Sequence, residues 1–184
     1  MNWKGDFLMF DQIHEECGVF GVYSPESTTS VVGDTYMALY ALQHRGQQSC
    51  GIAVNDDGII RSYRDLGLVP DTFNQRVLSD LGSGRMAVGH VLYGASNPER
   101  ADAQPLVVRH IKGSMALAFN GALVNALELK EELELKGAIF HSNSDAEIIS
   151  HVIINERLHT NSIEEAIETL EPWRRIYGIF TGHS

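Results

Sequence analysis

Glu15-Glu16-Cys17-Gly18-Val19-Phe20-Gly21 sets a cysteine between two acids and a glycine-spaced apolar run that reads as a strand. A thiol there becomes special only if the bond before it is cut. The released α-amine of Cys17 then acts as base for its own sulfur, so one residue supplies both halves of a nucleophile and base pair. Taken alone, Cys17 reads more readily as a small buried strand residue, and the segments beyond it must decide.

Downstream, β-rich runs at Gly51–Val54, Ile59–Tyr63, Met86–Tyr93, Leu106–Ile111 and Ser114–Phe119 are each bounded by turn-forming residues and join Gly18–Tyr23 as predicted strands. Asp57-Gly58 is a strong two-residue hairpin signal and Lys112-Gly113 a weaker one, so the strands are expected to be largely antiparallel. Helices are predicted at Thr35–Gln43 after an Asp34 cap, Ala126–Lys136 after Asn125, Ala146–Leu158 after Ser144 and Ile163–Leu170 after Ser162. Ser162 with Glu165, and Asn125 with Glu128, have capping-box spacing. Ile149, Val152 and Ile153 share one helical face, which should pack on a sheet. Sheets covered by helices, without βαβ alternation, give an α+β class. Gly94–Gln104 is the most loop-like stretch.

The chain has 184 residues, 43% hydrophobic and 21% charged, which suits one domain with a substantial core. No apolar run approaches the roughly 20 residues of a membrane span, and the start lacks the pattern of a secretory signal. A cytoplasmic location is the expectation. Cys17 and Cys50 are too few for a disulfide framework. With 24 acids against 14 Lys and Arg, the net charge of −10 argues against nucleic acid as a partner. The eight histidines form no HxH or HExxH pattern, and Gly82-Ser83-Gly84 lacks what a phosphate loop requires, so neither a metal nor a cofactor is expected.

Three segments carry candidate chemistry. In Leu42-Gln43-His44-Arg45-Gly46-Gln47-Gln48-Ser49-Cys50-Gly51-Ile52 a helix ends in a basic pair, where His44 and Arg45 complement its dipole and Gly46 reads as a left-handed cap. Asn120-Gly121 ends a strand either as a plain turn or as a side-chain amide and a backbone N–H aimed at one point, the parts of an oxyanion hole. Ser142-Asn143-Ser144-Asp145 is a helix start in which Asp145 could bind a ligand ammonium.

The order of these segments, joined by Gly89-His90-Val91-Leu92-Tyr93 and Ala103-Gln104-Pro105-Leu106, resembles the glutaminase domain of glutamine phosphoribosylpyrophosphate amidotransferase, a class II glutamine amidotransferase. The resemblance runs from about Glu15 through the helix that begins at Asp145. It implies the N-terminal-nucleophile fold, a four-layer αββα sandwich that here could lack its last strands. It also implies a leader, residues 1–16, removed so that Cys17 comes first, and a glutaminase domain over 17–184 without a phosphoribosyltransferase domain. By resemblance Cys17 would attack the amide of glutamine, Asn120 and Gly121 would hold the oxyanion, and Asp145 and Arg45 would bind the substrate. Ammonia would pass to a phosphoribosyltransferase or synthase partner, in purine biosynthesis.

There are departures from the pattern. Leu92 stands where the family carries an arginine for the glutamine carboxylate, Ala95 where a threonine is usual, and Phe119 where a histidine is usual. Arg100 is a candidate substitute for the lost charge. The tail, Trp173-Arg174-Arg175-Ile176-Tyr177-Gly178-Ile179-Phe180, is unlike the family's next strand, and an open sheet edge would invite a homo-oligomer. The alternative expectation is therefore a catalytically impaired binding or scaffold domain, or a truncated gene product, of the same fold.

Overall fold

The computed structural model describes residues 17–25, 30–94 and 97–169, with the backbone of 179–181. The leader, Ala95 and the tail up to Gly178 lie outside the described residues.

Four antiparallel strands form the first sheet: β1 (Gly18–Tyr23), β2 (Ser49–Asp56), β3 (Ile59–Leu66) and β4 (Met86–Leu92), in the order β1-β4-β2-β3. β2 and β3 are longer than predicted because their pairing continues in register from Asp56↔Ile59 to Ser49↔Leu66. The turn between them is Asp57-Gly58, at φ of 51° and 83°, which are the backbone angles that a tight hairpin requires. The second sheet holds β5 (Leu106–His110), β6 (Gly113–Phe119) and β7 (Ile179–Thr181), with β6 central. His110 pairs with Gly113, so the β5–β6 turn is Ile111-Lys112, one residue earlier than predicted.

Helix α1 (Val31–Ala41) begins four residues before its predicted start. Its cap is Ser30, whose Oγ accepts from the Gly33 N–H at 3.1 Å, and Asp34 falls inside the first turn. The short helices α2 (Val69–Thr72) and α3 (Gln75–Asp80) were not predicted. α4 (Ala126–Leu135) forms without the expected box, because Asn125 sits at φ −121°, ψ 31° and makes no capping bond. In α5 (Asp145–His159) Ser144 accepts from the Ala146 N–H at 3.3 Å. In α6 (Ile163–Glu168) Ser162 caps the Glu165 N–H at 3.1 Å, while the Glu165 carboxylate reaches back to the Asn161 N–H at 2.9 Å, one residue before the expected partner.

Gly46 also departs from expectation. It is extended, at φ −160°, and the side chain of Gln43 closes the turn by donating to Gly46 O at 2.5 Å and accepting from the Val69 N–H at 2.6 Å. Glycine is required there for room, since a Cβ would lie 2.6 Å from the Val91 carbonyl carbon.

The layers follow from these faces. α1 packs on β1 and β4, the sheets face each other through β4 and β6, and α5 covers β5 and β6 with α4 beside it. One core joins Leu39 of α1 to Ile52, Val54 and Val91; the other joins Leu117 of β6 to Ile149 and Ile153 of α5. Each such side chain, once buried, contributes about 2 kcal/mol. Among the described residues no helix is long and apolar enough to cross a membrane.

Candidate active site

Because β1 runs antiparallel to β4 with Gly18 opposite Val91, Cys17 falls beside the end of β4. There its thiol lies against the backbone of one residue: Sγ accepts from the Tyr93 N–H at 3.4 Å and donates to Tyr93 O at 3.6 Å. Tyr93 was not singled out from sequence, and only its main chain is used.

The second sheet delivers Asn120. Its Nδ2 donates to Cys17 O at 2.8 Å, across the gap between the sheets. Arg45, from the 3₁₀ turn Gln43–Arg45 after α1, donates through Nε to the same carbonyl at 3.4 Å. Gly121 follows Asn120 at φ +148°, exposed, in backbone space that favours glycine. Three of the five candidate residues thus meet directly and a fourth is adjacent.

Asp145, the fifth, reaches the same turn indirectly: its Oδ2 accepts from the Leu123 N–H at 2.7 Å. The loop before it is fixed by two buried carboxylates. Glu147 accepts from the His141 and Ser142 N–H groups and from the Ser142 hydroxyl, at 2.7–3.1 Å. Burial pushes the Glu147 carboxyl up, but these bonds outweigh it and hold the group below its usual value. Asp102 accepts from the Asn143 N–H and the Glu99 N–H, both at 2.9 Å, tying the β4–β5 loop to the start of α5.

Leu92, half-buried, is the last residue of β4. Arg100 faces Asp65 at 3.5 Å instead. Cys50 is fully buried in β2, and burial pushes its thiol up to about 11. Among the described residues no group of three or more His, Cys, Asp or Glu could hold a metal ion.

A cavity of about 360 Å³ lies at the other end of the sandwich, lined by Ala53, Met86, Ser114, Ala116 and Arg157 among others. It is remote from Cys17 along every strand, since β1 and β4 run the length of the sheet between them.

Residues 95–180 match a family described as "Glutamine amidotransferase domain". The amidophosphoribosyltransferase of Methanocaldococcus jannaschii is 43% identical over 153 residues, 83% of this chain and 32% of that protein. That of Staphylococcus aureus strain Mu50 is 38% identical over 173 residues, 94% of this chain and 34% of that protein. Among solved structures, the glutamine phosphoribosylpyrophosphate amidotransferase from B. subtilis, complexed with ADP and GMP, aligns with a TM-score of 0.71 at 33% identity, covering 90% of this chain and 33% of that one. A structure described as the allosteric regulatory enzyme of purine biosynthesis aligns at 0.76 with 34% identity, covering 89% and 33%. The chain spans about a third of the length of the relatives it matches. The chain has the fold of an N-terminal-nucleophile glutaminase, and it is similar to the glutamine amidotransferase part of amidophosphoribosyltransferases.

Proposed function

We propose that this chain hydrolyses the side-chain amide of glutamine through Cys17, once residues 1–16 are removed, and supplies ammonia to a phosphoribosyltransferase. The observation that carries the reading is the meeting of Cys17 with Asn120, whose Nδ2 lies 2.8 Å from Cys17 O although the two are 103 residues apart.

The sulfur attacks the amide carbon while the thiol proton passes to the α-amine of Cys17 and from there to the departing nitrogen, which leaves as ammonia. Water then cleaves the thioester, releasing glutamate and restoring the thiol. An asparagine amide has two N–H donors. One orients the group on Cys17 O, and the other, with the Gly121 N–H, serves the tetrahedral oxyanion. Asp145 receives the substrate ammonium, and Arg45 offers positive charge beside the nucleophile. Intact mass should show loss of residues 1–16, and glutamate release should fall at least ~10³-fold in Cys17→Ala. A mature chain that releases no glutamate overturns the reading.

Leu92 supports a second reading, a domain that retains the fold but binds glutamine poorly. An apolar side chain ends β4 where the resemblance calls for an arginine, and Arg100 is drawn to Asp65. A missing partner to a buried charge costs about 2–5 kcal/mol. Leu92→Arg should then lower the KM for glutamine by at least roughly tenfold; an unchanged KM removes this reading.

A further inference from the structure

Gly51, His90 and Gln104 have no part in the chemistry proposed above, yet His90 and Gln104 converge on one residue of β6 and Gly51 lies against Gln104. Phe119 is the last residue of β6, and Asn120 follows it. The Phe119 N–H donates to Gln104 Oε1 at 2.7 Å, and Phe119 O lies 3.2 Å from His90 Nε2. A carbonyl oxygen only accepts, so Nε2 carries the ring proton and donates. His90 Nδ1 is buried without a partner, and burial holds the ring neutral, its pKa lowered to about 4. Both side chains are buried, at 0% and 4% exposure.

The backbone explains why side chains take this role. β5 pairs with β6 only as far as Leu106↔Leu117, and beyond that point Gln104 takes over the ladder bond to Phe119. Gln104 comes this close because of Gly51, the register partner of His90 on β2. A Cβ on Gly51 would lie 2.2 Å from Gln104 O and 2.7 Å from Arg64 Cβ.

We propose that His90 and Gln104, with Gly51 clearing their approach, clamp both polar groups of the Phe119 backbone and thereby set the position of the Asn120 amide relative to Cys17. The inference rests on the proposed glutaminase reading for its catalytic meaning, and makes all three positioning residues. Oxyanion donors work within a few tenths of an ångström of 2.7–3.1 Å, and a displacement of about 1 Å costs up to roughly 10²-fold in rate.

Gln104→Met keeps the length of the side chain and removes the acceptor; Gln104→Glu keeps an acceptor. In the chain with Cys17 as its first residue, Gln104→Met should lower kcat about 10- to 100-fold with KM within about twofold, and Gln104→Glu should recover most of the loss. Amide exchange at Phe119 should quicken in Gln104→Met while the β2 and β4 amides hold. A wild-type kcat, or a loss expressed in KM alone, overturns the clamp. If the unsubstituted chain releases no glutamate, the functional reading fails separately and the clamp is judged by NMR. Asn120 side-chain resonances that move in Gln104→Met and return in Gln104→Glu support it, and unmoved resonances overturn it. Should Gln104→Met not fold, His90→Phe against His90→Gln takes its place, with the same readouts.

Discussion

At the Cys17 end of the sandwich side chains bond to main chain: Asn120 to Cys17 and His90 to Phe119 cross between the two sheets, while Gln104 to Phe119 and Gln43 to Gly46 and Val69 fix the backbone on either side. At the other end the same strands part around a cavity of about 360 Å³. The cations there, Lys112 and Arg157, are used to close the end of α5: Lys112 donates to Leu158 O and Thr160 O, and Arg157 to Thr160 O, at 2.6–3.0 Å. Both ends are built from the same strands, β2 and β4 among them. What separates them is where the backbones touch, because apolar packing tolerates small shifts that a buried hydrogen bond does not.

The sharpest way to break the contrast is to add a methyl group at each end. Gly46→Ala places a Cβ within 2.8 Å of three backbone atoms of Val91 and Leu92 and should cost about 3 kcal/mol or more in urea unfolding. Gly58→Ala, at the far hairpin, meets nothing within 4 Å and carries only the strain of φ +83°, about 1–2 kcal/mol. Equal costs would erase the distinction.

Acid tests the same asymmetry. His90 falls from an ordinary 6.5 to about 4 on folding, so between those values the unfolded chain binds a proton that the native chain refuses. Stability then rises with pH across that window; at pH 4 it should be about 3 kcal/mol below its value above pH 6.5. His90→Gln should flatten that part of the profile. Glu147 adds to this at the acid end, because its lowered carboxyl contributes stability that is present above its ordinary value of 4.5 and is lost as pH falls below it.

Smaller effects belong to the far end and to the caps. Ser162→Ala removes the bond to the Glu165 N–H and should cost about 1 kcal/mol, whereas Asn125→Ala removes no capping bond and should stay within about 0.5 kcal/mol, both read from thermal unfolding. Ala116→Val points a methyl at the cavity and should also stay within about 0.5 kcal/mol.

Strand positions could be read from the chain because alternation and Asp57-Gly58 are local signals. Helix starts were harder. Ser27, Thr28, Thr29, Ser30 and Asp34 are all acceptable caps by type, and only the three-dimensional path selects Ser30. α2 and α3 are too short for a period to register, and the fault at Asn125 lies in its backbone angles, which no residue code announces. Gly46 was visible as a glycine but misread, because its cause is a strand 45 residues away. Among the proposed site residues, Cys17, Asn120, Gly121, Asp145 and Arg45 could be named because each stands in a motif of the resemblance and is given a role by it. Tyr93, His90 and Gln104 escaped because what matters is which peptide group each one meets, and that is decided by how two sheets approach.

Cys50 has a practical consequence. Sealed in β2 and hard to ionise at neutral pH, it is silent toward alkylating dyes. The half-buried sulfur of Cys17 is therefore where a fluorophore or spin label will attach without prior removal of the other cysteine, and the labelled chain would report on the contact between Cys17 and Asn120.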